Sequence, residues 1–157
     1  MFNIALYQPD IPQNTAAIIR LCSCFDTTLE IIEPCGFRID DKRIKKVAMD
    51  YLNKSKIITY KSYENFLVEK KNSRIILMTT KAKKNYYSFK FKPNDTLLFG
   101  RESAGVPKIV HDNAHQRLKI PLKKNARSLN ISIAVAITLS EALKQNMAFW
   151  NDQGYLF

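Results

Sequence analysis

The sequence predicts an α/β fold with a mainly parallel sheet and helices on both faces. Short apolar runs of strand length recur along the chain, and helix-like segments separate them; the runs are 3–7, 29–32, 57–60, 74–78 and 96–99. Continuous apolar runs, rather than alternating ones, are typical of parallel strands that are buried on both faces. With 157 residues, 46% of them hydrophobic, we expect a single domain over 1–157.

The helices are predicted from capping residues and apolar periodicity. They are expected to begin near Asn14, near Asp40 and Asp41, at Ser62 and at Ser128. The second is expected to run to about Leu52, the third to Val68 and the last to Gln145. A polar, basic loop is predicted between Lys81 and Asn94.

The charge of the chain indicates a polyanionic partner. Lys and Arg number 25 against 14 Asp and Glu, which gives a formal net charge of +11. Such an excess favours nucleic acid as the partner. The first residues lack a charged segment followed by a long apolar one, and no apolar run reaches membrane-spanning length. We therefore expect no membrane contact and a cytoplasmic location.

Neither the cysteines nor the histidines indicate a metal or disulfide site. Cys22, Cys24 and Cys35 are odd in number, and reduced thiols are expected in the absence of an export signal. His111 and His115 are spaced i,i+4, but no Glu-x-x-His motif or Cys pair accompanies them. No metal site is predicted.

The glycines exclude the common nucleotide-binding motifs. Only four occur, and none follows the first strand, where a dinucleotide fingerprint would need a cluster of them. No Gly-Lys-Ser/Thr motif is present either. Gly100 and Gly105 follow the strand that ends at Phe99, and ligands collect at the carboxyl ends of strands in open α/β sheets. A ligand-facing loop is therefore predicted over 100–105.

Two basic segments are candidates for RNA binding. The first is the helical cluster Lys42, Arg43, Lys45 and Lys46, and the second is the 81–94 loop, which carries Lys83, Lys84, Tyr86 and Tyr87. The alternative is a solvated charged face. The large net charge favours phosphate contacts, with base stacking on the tyrosines of the loop.

Three short segments together resemble the motifs of the SPOUT class of RNA methyltransferases. They are 14–20 (NTAAIIR), 98–107 (LFGRESAGVP), and 120–122 (IPL) followed by 127–132 (RSLNIS). The resemblance is closest to the small TrmL-type (YibK-like) members, and it runs in order from about Met1 to Gln145. Those members move a methyl group from S-adenosylmethionine to the ribose 2′-OH of the tRNA wobble nucleotide, at position 34 in the anticodon loop.

The resemblance implies a C-terminal trefoil knot, a rare exception to the rule against knotted chains. It also implies S-adenosylmethionine as the cofactor, and a homodimer formed by the first and last helices, to which the aromatic tail after Met147 would add apolar contact. The cofactor-binding residues that it implies are Met78, Thr79, Gly100, Glu102, Ile120, Leu122, Ser128 and Leu129.

The resemblance further implies a catalytic set of Arg20, Asn14, Glu102, Ser128 and Asn130. A guanidinium is a poor base, so Arg20 is expected to position the nucleotide and stabilise charge, the alternative being an exposed helical arginine. Asn14, Ser128 and Asn130 could equally be helix caps. Glu102 is expected to order its loop or to contact the cofactor side, the alternative being a surface carboxylate.

Three positions depart from the TrmL-type pattern. Arg101 replaces the usual Pro, Ile133 an Asn and Ser140 a Tyr that is a candidate for nucleotide contact. These departures leave two alternatives open: an enzyme of the same class that acts on another tRNA or rRNA ribose, and an RNA-binding module without catalysis.

Overall fold

The computed structural model describes residues 1–38 and 41–146, and its central element is a seven-stranded sheet. The strands are β1 (Asn3–Tyr7), β2 (Thr28–Ile32), β3 (Ile57–Tyr60), β4 (Ile75–Met78), β5 (Lys84–Asn85), β6 (Thr96–Phe99) and β7 (Gln116–Lys119). Their order is β3-β2-β1-β6-β4-β7-β5, and every pairing is parallel. The predicted α/β class with a mainly parallel sheet is confirmed.

The helices cover both faces of the sheet, as predicted. They are α1 (Pro12–Cys24), α2 (Lys42–Ala48), α3 (Tyr51–Lys54), α4 (Tyr63–Glu69), α5 (Lys108–Asn113) and α6 (Ile131–Lys144), with a 3-10 turn at Tyr86–Ser88. One buried cluster joins α1, α2 and α6 to side chains such as Ile4 and Leu97. The other joins α4 and α5 to Ala5 and Leu98. Successive strand residues thus enter opposite cores, which explains the continuous apolar runs.

The predicted helix starts are confirmed in part. Asp41 accepts a hydrogen bond from the backbone N–H of Arg43 and caps α2, and Ser62 accepts one from Asn65 and caps α4. Asn14 does not cap α1, because Pro12 opens that helix and places Asn14 inside its first turn. Pro is favoured at this first position because its missing N–H would lack a helical partner there.

The second and last predicted helices differ from the structure at particular residues. The predicted helix to Leu52 is broken at Met49, whose φ of 52° ends α2 before the short α3 begins. Asn130 caps α6 by accepting from the backbone N–H of Ser132, whereas Ser128 lies ahead of the helix and is not its cap. Asp40 and the tail after Met147 lie outside the described residues.

Three strands and helices have no sequence prediction. They are β5, which with the 3-10 turn lies inside the segment predicted as a loop, and α5 and β7 between 106 and 119; β7 pairs with both β4 and β5. Polar residues occupy most of β7, which reads QRLK, so it lacks the apolar run that marked the other strands. β7 and β5 extend the sheet beyond β4, and the loop after Met78 contacts β7.

Candidate active site

A cavity of about 530 Å³ opens at the carboxyl ends of β4 and β6. Three loops surround it, those over 79–81, 100–106 and 120–130, together with the first turns of α1 and α6. All eight residues that the resemblance implied for the cofactor line it: Met78, Thr79, Gly100, Glu102, Ile120, Leu122, Ser128 and Leu129. The cavity therefore joins the second and third motif segments, which are far apart in sequence.

Adjacent strand ends position the apolar wall of the cavity. Met78 and Phe99 are paired residues of β4 and β6, and both are buried. The backbone N–H of Thr79 donates to the Leu118 carbonyl oxygen at 2.8 Å, so that the chain leaving β4 stays against β7. Apolar walls with a few convergent polar groups are typical of sites for small organic ligands.

The 100–105 loop closes on itself through its backbone. Arg101 and Gly105 exchange two backbone hydrogen bonds, at 3.1 and 2.9 Å. Gly105 has a φ of 68°, and a Cβ added at Gly100 would lie 2.6 Å from the Gly105 carbonyl carbon. The first glycine is thus required by a close backbone approach and the second by a left-handed conformation.

A chain of hydrogen bonds connects the three motif segments. Glu102 Oε1 accepts from Asn14 Nδ2, and Asn14 Oδ1 accepts from Asn130 Nδ2, each at 2.9 Å. Asn130 Oδ1 in turn accepts from the backbone N–H of Ser132, also at 2.9 Å. A carboxylate can only accept and a backbone N–H can only donate. Glu102 at one end of this hydrogen-bond series and the Ser132 N–H at the other therefore fix the orientations of both Asn side-chain amides.

Glu102 and Arg101 also hold the loop that follows β1. Glu102 Oε2 accepts from the backbone N–H of Asp10 at 2.9 Å, and Arg101 donates to Gln8 Oε1 at 2.8 Å. Asp10 accepts hydrogen bonds from Ser103, which lower the pKa of its carboxyl group. Arg101, which departs from the motif, therefore ties the candidate site to the end of β1.

Several residues of the site were missed at the sequence level. Gln8 and Asp10 position the 100–105 loop, while Ile11 and His111 line the cavity. Lys81, from the predicted basic loop, lines the cavity as well. Burial is the main cause that lowers the pKa of His111, with contributions from Lys81 and Arg117. Asp10 follows β1, whose end is adjacent to that of β6, and this position could have marked it as a site residue. No sequence pattern predicted that α5 lies at the cavity.

Arg20 is not among the residues that line the cavity. It lies on α1 and is exposed, with its guanidinium carbon 5.1 Å from the centre of the Tyr51 ring. The distance between Arg20 and Asn14 along the helix is six residues, about 9 Å, and the two side chains leave the helix in different directions. The other four residues of the predicted catalytic set, Asn14, Glu102, Ser128 and Asn130, all line the cavity.

The two basic segments lie on exposed surface. Lys42, Arg43, Lys45 and Lys46 are all exposed on α2, but Arg43 forms a two-pronged ion pair with Asp41, whose pKa falls to about 2 because of this contact. Lys83 and Lys84 are exposed and Tyr86 is half-buried beside the Tyr87 ring. Lys84 lies 5.1 Å from the Phe89 ring centre. Lys81, in the same loop, borders the cavity.

The described residues offer neither a metal cluster nor a membrane span. His111 lies in α5, whereas His115 follows it and accepts from the Ile75 backbone N–H at 3.1 Å, so the two do not share a helical face. Over 1–38 and 41–146, no three His, Cys, Asp or Glu side chains are grouped to hold a metal ion. No helix in the same part of the chain has the length and apolarity needed to span a bilayer.

The sequence and the structure are both similar to those of known RNA methyltransferases. The model of the SpoU rRNA methylase family matches residues 1–140. A tRNA (cytidine(34)-2′-O)-methyltransferase from Beijerinckia indica is 45% identical over 145 residues, 90% of each chain. A solved structure that concerns 2-OH methylation of C/U34 on tRNA superposes with a TM-score of 0.91 at 32% identity, covering 94% of this chain and 97% of that one.

A more distant structure shares the fold. The SpoU methyltransferase AviRb from Streptomyces viridochromogenes, in complex with AdoMet, has a TM-score of 0.86 at 19% identity, covering 92% of this chain and 57% of that one. The family match, the identity of the Beijerinckia relative and the shared motifs agree with one another. The chain belongs to the SpoU methylase family.

Proposed function

We propose that this protein transfers a methyl group from S-adenosylmethionine to the ribose 2′-oxygen of nucleotide 34 in the anticodon loop of tRNA. The observation that carries the proposal is the cavity at the ends of β4 and β6, where all three motif segments meet through Glu102, Asn14 and Asn130. The activities of the two similar proteins that act on nucleotide 34 favour the wobble nucleotide over another tRNA or rRNA ribose.

The residues of the cavity fit S-adenosylmethionine. Its volume of about 530 Å³ is within the range of sites for small organic ligands. We propose that Met78, Thr79, Gly100, Glu102, Ile120, Leu122, Ser128 and Leu129 hold the cofactor, since they supply apolar side chains for an adenine ring and polar groups for the rest. When bound, the cofactor supplies a methyl group on a positively charged sulfur, which an oxygen nucleophile can attack.

The chain's own residues then align the nucleotide and hold the site together. Glu102 fixes Asn14 and the Asp10 backbone, and Asn14 fixes Asn130 at the start of α6, so these residues set the spacing of the three motifs. Ser128 is exposed at the rim, where its hydroxyl can meet the ribose. We propose that Arg20 orients the nucleotide and stabilises negative charge as the hydroxyl proton leaves.

A homodimer would bring Arg20 to a cavity. Within one chain Arg20 does not line the cavity, so we propose that α1 of a second copy delivers it, with α1 and α6 as the interface. Two large apolar side chains near these helices favour this surface, because Ile11 is 41% and Ile133 51% exposed. A two-fold contact also doubles the basic surface that is available to tRNA.

Replacing Ile133 by glutamate should convert the proposed dimer into a monomer. A carboxylate within the proposed interface would lose its hydration on association, a cost that is not repaid without a partner. Sedimentation at micromolar concentration would measure the change. Ile58→Glu is the matched control, since Ile58 is 44% exposed on the edge strand β3, away from α6, and should leave the dimer intact. A wild-type monomer at that concentration would contradict the proposal.

We further propose that residues 1–157 form a single domain whose C-terminal third is threaded as a trefoil knot. The end of α6 lies against the loop that precedes β6, where Gln145 accepts from the Phe91 backbone N–H at 3.0 Å and donates to the Phe89 carbonyl oxygen at 3.1 Å. This contact holds the end of the last described helix against the 86–92 segment, and the threading itself is proposed from the motif resemblance. We also propose that the reaction takes place in the cytoplasm.

The basic segments are proposed to bind tRNA phosphates. Charge reversal at Lys42, Lys45 and Lys46 should weaken tRNA binding and flatten its dependence on salt by about 0.7–0.9 in logarithmic slope for each phosphate that is no longer neutralised. The Arg43→Glu change should have a smaller effect, because Asp41 already pairs with Arg43. Filter binding across a salt series measures the slope, with cofactor affinity as the unchanged control. An unaltered slope would identify the cluster as a solvated face.

The proposed function is tested by methylating unmodified and native tRNA with the purified protein. After nuclease digestion, mass spectrometry should locate a 2′-O-methyl group on nucleotide 34. A methyl group found instead on another tRNA or rRNA ribose would mean that the protein is a methyltransferase of the same class with a different substrate. The absence of S-adenosylmethionine binding at millimolar concentration, together with tight RNA binding, would instead identify an RNA-binding module without catalysis.

A further inference from the structure

A second cavity lies at the same edge of the sheet as the candidate active site. It is an open cleft of about 840 Å³ at the carboxyl ends of β2 and β3. Glu33 follows β2 and Lys61 follows β3, and both line it. No motif in the sequence marks these strand ends, and the reaction proposed above uses none of this cleft except the basic surface of α2.

The cleft combines apolar surface with positive charge. Phe37 and Leu52 are half-buried and form its apolar part. Arg38, Lys45 and Lys61 supply three cationic groups beside the carboxylate of Glu33. An aromatic platform beside cationic side chains is the arrangement that binds a single-stranded nucleotide, because the base stacks on the ring and the phosphate meets the cations.

The loop after β1 lies between the segments that line the two cavities. The Gly36 backbone N–H donates to the Pro9 carbonyl oxygen at 2.9 Å on the side of the second cavity. On the other side, Asp10 is held by Glu102 and Ser103 of the first cavity. A Cβ added at Gly36 would lie 3.0 Å from the Asp10 backbone, so the two segments are in close contact.

The strand order sets the separation between the cavities. β2 and β6 are separated only by β1. Neighbouring strands lie about 4.8 Å apart, so these two strand ends are about 10 Å apart. A short stretch of single-stranded RNA spans that distance, so an RNA whose ribose enters the first cavity has flanking nucleotides within reach of the second.

We propose that the second cavity binds a nucleotide of the same RNA strand, within a few residues of the methylated one. Its base lies against Phe37 and Leu52, its phosphate contacts Lys45 and Lys61, and the Glu33 carboxylate accepts from an amino group on the base. This inference rests on the proposed function, since it requires an RNA substrate in the first cavity. It adds a binding site that fixes the register of the strand.

Photochemical crosslinking tests where the flanking nucleotides lie. Anticodon stem-loop RNAs carry 4-thiouridine at one position at a time on either side of nucleotide 34, and are irradiated with the full-length protein and S-adenosylhomocysteine. We expect at least one flanking position to crosslink within 33–38 or 51–54, as mapped by peptide mass spectrometry. A probe at the far end of the stem is the control. Crosslinks confined to the 79–92 loop would overturn the proposal.

Substitutions test whether the contacts contribute to binding. Phe37→Ala should weaken stem-loop binding roughly 5- to 100-fold, the range found when a stacking aromatic is removed, while Phe37→Tyr keeps the ring and should retain binding. Lys61→Glu should also weaken binding. Its matched control is Lys71→Glu, the same charge change at an exposed site where α4 leads to the beginning of β4, at the opposite edge of the sheet.

The outcomes separate this inference from the proposed function. If wild-type protein methylates nucleotide 34 but the Phe37→Ala and Lys61→Glu variants bind the stem-loop as tightly as wild type, the second cavity is not a nucleotide site. If wild-type protein methylates no nucleotide 34, the proposed function itself fails. Calorimetry with S-adenosylmethionine should give wild-type affinity for both variants, which shows that the first cavity is intact.

Discussion

Replacing Arg20 by alanine is expected to lower the single-turnover rate of methyl transfer by roughly 10²- to 10⁴-fold, the usual contribution of a group that assists proton transfer. Arg20 is exposed and does not line the cavity of its own chain, so its removal leaves the apolar wall and the Glu102 hydrogen bonds unchanged. S-adenosylmethionine affinity and the circular dichroism spectrum should therefore match those of wild type.

Arg20→Lys should restore little of this activity. The guanidinium presents a rigid fork of donors to a phosphate or a ribose oxygen, whereas the lysine ammonium is a flexible point charge. The measurement is single-turnover methylation with saturating tRNA. A rate for Arg20→Ala within a few-fold of wild type would show that Arg20 has no part in methyl transfer and is only an exposed helical arginine beside Tyr51.

Mixed dimers distinguish whether Arg20 acts on its own cavity or on that of a second copy. An Arg20→Ala subunit keeps an intact cavity, and a subunit with a defective cavity keeps Arg20. If the two subunits share each site, mixing the two inactive proteins should recover activity at one site of each mixed dimer. If Arg20 serves its own chain, neither site of the mixed dimer is complete and no activity returns.

The sequence predicted the elements that apolar runs define. The strands near Ile4, Leu29 and Leu97 lie where they were expected, because strands buried on both faces of a parallel sheet are mostly apolar. The strand at 57–60 was predicted from the same apolar pattern, although it is the edge strand β3 and Ile58 is 44% exposed. β7 escaped prediction because its only fully buried residue is Leu118, with polar neighbours on either side. The break in the second helix at Met49 was also missed, since no Gly or Pro marks its positive φ.

The candidate site was also predicted in part, from motif resemblance rather than from apolar runs. Motif resemblance implied eight residues for the cofactor, and all of them line one cavity. The resemblance could not supply the residues outside the motifs, because the hydrogen bonds of Gln8 and Asp10 to Arg101 and Ser103 join positions 93 residues apart. Local sequence patterns carry no information about such contacts.

The contacts of Arg101 also could not be predicted from local sequence. From the sequence it is only a departure from the TrmL-type pattern, an arginine in place of the usual proline. In the structure its side chain donates to Gln8 and lies 3.9 Å from an Asp10 oxygen, so part of the charge is balanced within the site. An arginine at this motif position is thus accommodated by residues from another part of the chain.

Gly100 should tolerate no side chain, and Gly100→Ala is expected to abolish cofactor binding or to weaken it by more than about 10-fold. The added Cβ would lie 2.6, 2.8 and 2.9 Å from the carbonyl carbon, Cα and carbonyl oxygen of Gly105. All three are backbone atoms, so no side-chain rotation relieves the contact, and the loop must open. Overpacking of this kind costs about 1–3 kcal/mol of stability.

Opening the loop would separate Arg101 from Gly105 and displace Glu102, which holds Asn14 and the backbone of Asp10. Calorimetry with S-adenosylmethionine measures the affinity, and thermal denaturation measures the stability. Gly105→Asn gives a comparison at the other glycine of the loop: no atom lies within 4 Å of a Cβ added there, and Asn is one of the residues that adopt a φ of 68° most readily. Because Gly105 also lines the cavity, we expect this variant to lose some cofactor affinity but less than Gly100→Ala, whereas wild-type affinity in Gly100→Ala would contradict the assignment of Gly100 to the close approach.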